Sequence, residues 1–349
     1  MYPVRSSLAK VQRTRAESTS ETSNGMYDFV AIGDIVTDAF IKLKDASVHC
    51  DIDREHCTIS MAFGEKIPYE SVEVVRAVGN SSNAAVSASR LGLKSALVTN
   101  IGDDQNGQEC LDTLKKENVG TDFVSVHKGK ETNYHYVLWY DNDRTILVKH
   151  QEYDRAFPNV GEPKWFYLSS LGGDTLEYHE QIIKYLKGHL GVSLAFQPGT
   201  FQISLGKEKL KDIYERTKIF FCNVGEAEKI LGLNTLGTKE LLKRMQALGP
   251  EIVVITDGPK GAYIFDGKDY WFQPADPKPA IERTGAGDAF ESTVVSALAL
   301  GEDLATALSW GMVNSMSVVQ QVGAQKGLLT RPQIEEYLKK SPIPASKLA

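Results

Sequence analysis

Nine consecutive residues, Glu282-Arg283-Thr284-Gly285-Ala286-Gly287-Asp288-Ala289-Phe290, put two kinds of chemistry side by side. Gly285, Ala286 and Gly287 carry almost no side chain, so at the start of a helix their backbone N–H groups stay uncovered. With the partial positive charge of a helix N-terminus, these donors make a site for an anion. Asp288 then places a carboxylate in the first turn, within reach of whatever the N–H groups hold. An anion hole beside a base is what phosphoryl transfer to a hydroxyl requires. The plainer alternative is a helix cap with glycines for close packing, and the segment alone leaves both open. The helix is well marked, since Phe290, Val294, Val295, Ala297 and Leu298 recur at helical spacing and Gly301 closes the run. A Gly-x-x-x-x-Gly-Lys-Ser/Thr loop occurs nowhere in the chain, and the third glycine of a dinucleotide fingerprint is missing.

Other candidates lie where a strand pattern gives way to a turn. Tyr27 to Gly33 is a short apolar run, a buried first strand, and Asp34-Ile35-Val36-Thr37-Asp38 follows it. Asp38, read as a carboxylate at a strand end facing a crevice, suits acceptance from two neighbouring hydroxyls. Asp34 reads as readily as a turn or solvent residue. Gly79-Asn80-Ser81-Ser82-Asn83 precedes an alanine-rich helix that Asn80 or Ser82 would cap. Asn223-Val224-Gly225-Glu226 follows a strand and opens a helix, and Thr256-Asp257-Gly258 ends a strand in a glycine turn before Gly261. Tyr134, Tyr136 and Tyr140 share one face of a strand; such a stripe more often packs than binds, although one ring could stack on a base.

The elements that must position these residues alternate. A helix from Ser82 to Leu91, a strand from Ala96 to Ile101 and a helix from Gly107 to Glu117 come first, and after Trp165 strands and helices follow one another to Thr256. That rhythm predicts an α/β fold with a mostly parallel central sheet flanked by helices. Two β stretches, about 40–76 and 123–149, lack helices to cover them. A few strands with one wet face make a poor independent domain. They read as a small β-sheet lid that keeps water from the transfer, or as a face buried in a dimer. Residues 1–25 carry Arg5, Lys10, Arg13 and Arg15, then a Ser/Thr/Glu-rich run. They have too little apolar content for an amphipathic transit segment and read as a disordered tail, which leaves 26–340 as one domain.

Composition excludes several classes. The 349 residues carry a net charge of -6, without the basic excess of a nucleic-acid binder. No apolar run is long enough to span a membrane, and a cytoplasmic protein is expected. Cys50, Cys57, Cys110 and Cys222 are too few for a disulfide scaffold and lack metal-ligand spacing, so they read as buried or incidental thiols in a reducing compartment. The histidines form no zinc-hydrolase pair.

The run Thr284 to Asp288 resembles the second signature of the ribokinase-like (PfkB) family of sugar and nucleoside kinases, and the resemblance extends from about Tyr27 to about Thr330. It implies a ribokinase-like fold with a small β-sheet lid, Asp288 as catalytic base and Gly285, Ala286 and Gly287 as anion hole. On the acceptor side it implies that Asp38, Gly79 and Asn83 bind substrate. On the nucleotide side it implies Asn223 near the phosphates and Glu226 ordering water around a magnesium ion. Thr256 and Gly258, with Gly261 opening the next strand, would cradle ATP, and Asn314 would lie beside the adenine. Gly323-Ala324-Gln325 resembles a loop that closes a monovalent-cation site, and Gly102-Asp103-Asp104 with Gly107 resembles a structural turn. The chain departs from the family pattern at Val78, where a first glycine is usual, at Glu282, where an Asp helps bind the cation, and at Arg283. Potassium activation is therefore not expected. ATP and magnesium are implied, together with a small sugar as acceptor, a nucleoside as the alternative, and a homodimer through the lid. The Phe196-Gln197-Pro198-Gly199-Thr200 loop lacks the Asp-x-Asn-x-x-Arg character that would favour a sugar acid. A catalytically silent scaffold of the same shape is a third reading, against which Asp288 and Glu226 stand.

Overall fold

The structure is a computed structural model that describes residues 27–50, 57–141, 143–233 and 236–348; the expected tail at 1–25 lies outside them. Phe29–Ile32 is a run of four apolar residues, all buried, and it forms an interior strand, third from one edge, of a ten-stranded sheet. Its side chains alternate between the two faces: Phe29 and Ala31 join one apolar core, Val30 and Ile32 the other. Burial on both faces is why the strand reads as an unbroken apolar run rather than an alternation.

Ser95–Gly102 pairs parallel with one edge of Phe29–Ile32, and Trp165–Leu168 with the other. Ser193–Phe196, Ile219–Asn223 and Ile252–Thr256 extend the parallel part, and Ala262–Phe265, Tyr270–Gln273 and Ser346–Leu348 finish it antiparallel. The chain therefore leaves Phe29–Ile32 in one direction and Trp165–Leu168 in the other. Such a switch opens a crevice beyond the carboxyl ends of the strands, where α/β proteins hold their ligands. Asp34 and Gly172 lie just beyond those two ends and are joined there by a hydrogen bond from Gly172 N to Asp34 Oδ2 of 2.7 Å.

A separate four-stranded sheet, in the order Tyr69–Val78, Val36–Leu43, Tyr134–Tyr140, Asp143–Leu147, grows out of the turn after Phe29–Ile32. Its limits correct the expected segments. It begins at Val36 rather than near 40, so Asp38 lies inside a strand and not at a strand end. Val124–His127 pairs parallel with Ser95–Gly102 at the edge of the large sheet, so it is no part of the small one. An edge strand exposed on one side carries the same alternation as a lid strand, which is why the pattern misleads there. Ser346–Leu348 takes the domain past 340; three residues are too few to show a period.

Register decides which side chains face the crevice. Asp38 is paired with Val75 and His135, and Arg144 with Trp139, so Asp38, His135 and Arg144 share the inner face. Tyr134, Tyr136 and Tyr140 do share one face, but it is the outer one, where none can stack on an acceptor. Val72, Val74, Tyr136 and Leu147 leave that outer face apolar and exposed. The cysteine reading is also corrected in part. Cys110 and Cys222 are buried thiols, but Cys50 and Cys57 are joined by a disulfide between the exposed strands Ser47–Cys50 and Cys57–Ser60. No helix of the described residues is long and apolar enough to cross a membrane.

Candidate active site

The Ala286–Ala299 helix begins at Gly285, whose φ of 81° lies in the left-handed region. A Cβ there would stand 2.3 Å from the Cβ of Ala324, so both conformation and packing demand glycine. No side chain caps this helix. Residues 288–297 are buried all round, wedged between the helices Asn80–Arg90 and Leu304–Val318, rather than along a single stripe. Its N-terminus opens on a cleft of about 460 Å³ lined by Thr256, Gly258 and Gly261 on one side and by Ala286 and Gly287 on the other. Phe290, Met312, Met316 and Val319 give the cleft an apolar slot, and Arg283 and Lys278 bring positive charge to it. That combination suits a flat base with an anionic tail.

Asn314 is not part of this cleft, contrary to the expectation that it lies beside the adenine. It is wholly buried; its Nδ2 donates to Thr293 Oγ1 at 2.7 Å and its Oδ1 accepts from Leu329 N at 2.8 Å. One end of the amide ties the helix Leu304–Val318 to the helix Ala286–Ala299, and the other ties it to the loop at Leu329.

Asp288 is held by three amides. Asn80 Nδ2 donates to Oδ1 at 2.8 Å, Gln197 Nε2 to Oδ1 at 3.0 Å and Asn83 Nδ2 to Oδ2 at 2.8 Å. The clamp is itself oriented, since Tyr167 Oη donates to Gln197 Oε1 at 2.8 Å and Gln325 Nε2 to Asn83 Oδ1 at 2.9 Å. Burial pushes the Asp288 carboxyl above its ordinary range, and the three amides pull it back in part. One turn along, Glu291 is buried with Oε2 unpartnered, and burial followed by repulsion from Asp288 and Glu226 raises it well above the usual carboxylate range. Glu226 and Asn223 bond each other reciprocally at 2.9 Å, Glu226 Oε2 accepting from Asn223 N and Asn223 Oδ1 from Glu226 N. Burial raises the Glu226 carboxyl too.

A sequence profile described as "pfkB family carbohydrate kinase" matches residues 46–331. The chain belongs to this family. It is a ribokinase-like, ATP-dependent phosphotransferase acting on a sugar or nucleoside. Among similar curated proteins is the ribokinase of Bacillus subtilis, 26% identical over 266 residues, which cover 74% of this chain and 87% of the relative. The nucleoside kinase of Methanothermobacter thermautotrophicus is 24% identical over 257 residues, covering 72% and 80%. Among solved structures, Arabidopsis thaliana ribokinase complexed with ribose and ATP superposes with a TM-score of 0.74 at 19% identity, over 90% of this chain and 99% of that one.

In this pfkB kinase Gly79 precedes the helix Asn80–Arg90 with φ 108°, and a Cβ on it would stand 2.7 Å from the Asp34 carbonyl oxygen. That close approach lets Asn80 and Asn83 reach Asp288, while Asp38 stands on the small sheet with Oδ1 3.5 Å from His135 Nδ1. The small sheet also touches the loop that precedes the helix Ala286–Ala299. Glu282 is 2% exposed, its Oε1 accepts from Thr284 N at 2.8 Å and Thr284 Oγ1 at 2.6 Å, and Arg144 Nε lies 3.6 Å from the same oxygen. A guanidinium thus stands beside Glu282 Oε1, while Glu282 Oε2 is buried without a hydrogen-bond partner.

Several side chains at the site carry no sequence signal of the usual kind. Gln197 is the first residue past the strand Ser193–Phe196, so the rule that ligands gather at strand ends could have found it. Glu291 lies three residues after Asp288, on the same side of the helix. His150 and Arg155 lie in irregular chain, where no period marks them.

Proposed function

We propose that the protein transfers the γ-phosphoryl group of ATP to a hydroxyl of a small sugar, with Asp288 as general base. The observation that carries this reading is the position of Asp288 at an uncapped helix N-terminus that opens on the cleft, with its carboxylate held by three amide donors. Two donors occupy Oδ1 and one occupies Oδ2. A carboxylate oxygen accepts two hydrogen bonds, so Oδ2 keeps an acceptor direction for the substrate hydroxyl and is the oxygen that takes its proton. The backbone N–H groups of Gly285, Ala286 and Gly287 stabilise the charge on the transferring group, with Arg283 beside them at the cleft. Asp38, Gly79 and Asn83 shape the acceptor side, Asn83 by orienting the base. Thr256, Gly258 and Gly261 hold the nucleotide.

The carboxylate oxygen of Glu226 that Asn223 leaves free is a hard donor of the kind magnesium accepts through water. Magnesium there would supply charge neutralisation to the phosphates. The inner face of the small sheet, acting as a lid, keeps water from the transferring group. Its apolar outer face supports the reading of a homodimer paired through the lid.

A nucleoside as acceptor is favoured by one feature, the Phe201 ring, 41% exposed and edge-on to His150 at 5.3 Å, where a base could pack. Measuring ADP release from ATP with separate panels of sugars and nucleosides decides between the two. Sugar-dependent release supports the proposal, and release with nucleosides alone refutes it.

A further inference from the structure

The acceptor crevice holds a second set of polar groups that phosphoryl transfer does not use. Asp34 Oδ1 faces Arg155 Nη2 at 2.8 Å, and the Arg155 guanidinium, 8% exposed, stands over the rings of Tyr153 and Tyr178. His150 Nδ1 lies 3.5 Å from Asp34 Oδ2, and the His150 ring meets His135 edge-on at 5.4 Å. His135 in turn stands 3.5 Å from Asp38. Neither contact at 3.5 Å is a good hydrogen bond. Asp38 Oδ1, His135 Nε2, His150 Nδ1 and Arg155 Nη1 are all buried without a hydrogen-bond partner, and so is Asp34 Oδ1 despite its ion pair with Arg155. A single such group is a cost that folded proteins avoid, and four that come from the small sheet and from the 150–155 connection indicate a ligand that would satisfy them.

The chemistry of the four atoms identifies that ligand. Arg155 Nη1 can only donate, Asp38 Oδ1 as a carboxylate can only accept, and each imidazole nitrogen serves one way or the other with its tautomer. A group that both donates and accepts, repeated along a short chain, is a hydroxyl. Charge narrows the choice. Arg155 is neutralised by Asp34 at 2.8 Å, and among the described residues Asp38 has no Lys or Arg paired with it, only His135 at 3.5 Å. Burial pushes His150 below its ordinary range, with Asp34 opposing, so it stands uncharged at neutral pH. A phosphate or carboxylate on the acceptor would therefore meet an uncompensated negative charge rather than a free cation.

We propose that Asp38, His135, His150 and Arg155 form a recognition set for an uncharged polyhydroxyl acceptor, a free sugar rather than a sugar phosphate or a sugar acid. This rests on the reading of the crevice as the acceptor site of a phosphotransferase. His135, His150 and Arg155 are specificity residues in it, outside every motif that marks the reacting end.

Calorimetric binding without ATP tests the set apart from turnover. The protein is titrated with free pentoses and hexoses, with ribose 5-phosphate and fructose 6-phosphate, and with gluconate, in the wild type and in His135→Leu, His150→Leu and His135→Gln. At least one free sugar is expected to bind more tightly than every charged compound. Each Leu variant should weaken that sugar about tenfold, as the loss of a hydrogen bond implies, and His135→Gln, which keeps a donor and an acceptor, should restore part of it. Tighter binding of a phosphate ester or gluconate, no binding of any free sugar, or affinity unmoved by both Leu variants would overturn the proposal. Intact sugar binding with no ADP release would instead count against the phosphotransfer mechanism and leave the recognition set standing.

Discussion

Replacing Gln197 with Leu removes one of the three amide donors from Asp288 while keeping most of the side-chain bulk. The lost contact is the 3.0 Å bond from Nε2 to Oδ1. A hydrogen bond to a charged group contributes about 1.5–3 kcal/mol, and one pKa unit corresponds to about 1.4 kcal/mol. The Asp288 carboxyl, already raised by burial and held down in part by its amides, should therefore rise further. The direction is fixed by the chemistry. Asp288 acts as a base only when ionised, so the acid limb of kcat/KM must move to higher pH. Below the limb the variant should lose about 10- to 100-fold, and well above it the rate should return towards that of the wild type. The substitution also strips Tyr167 Oη of its acceptor, which costs about 1–3 kcal/mol of stability, so thermal unfolding is recorded alongside ADP release. A purely structural fault lowers activity equally at all pH. An acid limb that stays in place, or moves to lower pH, would refute the amide clamp as the device that sets the base.

Two further outcomes follow from the buried carboxyls at the same end of the sheet. Glu291 has a folded-state pKa raised above its unfolded value, so the stability linked to its proton is present in acid and is lost as pH rises through the folded value. Glu291→Gln should accordingly raise the melting temperature at neutral and alkaline pH and leave it nearly unchanged in acid; a gain independent of pH, or a loss, contradicts the assignment. Because Arg144 already stands 3.6 Å from Glu282, adding potassium to a potassium-free and sodium-free assay should leave turnover unchanged, and strong activation would show a cation site intact.

Much of the architecture was legible because it rests on period and punctuation. Ile252–Thr256 falls where its β-branched run predicts, and the helix after Gly287 is announced by its glycines. The proposed base and anion hole could be considered together because their residues are contiguous in the chain. What the sequence concealed are contacts between distant segments. Asn80 and Gln197 meet at Asp288 across separations of 208 and 91 residues, and no local pattern shows that they converge on one carboxylate. Register had the same effect on the small sheet. The spacing of Tyr134 and Tyr136 shows a shared face, but only the pairing of Asp38 with His135 shows that this face looks away from the crevice. Asn314 illustrates the reverse failure, a motif position whose side chain is taken up by Thr293 and Leu329.

The most direct test of Asp288 as the base is the rate of phosphoryl transfer in Asp288→Asn. The substitution keeps the size of the side chain and removes its capacity to accept a proton. ADP release in the presence of the acceptor should fall about 100- to 10,000-fold, with folding and ATP binding retained. Turnover close to that of the wild type would contradict the assignment of Asp288 as the base.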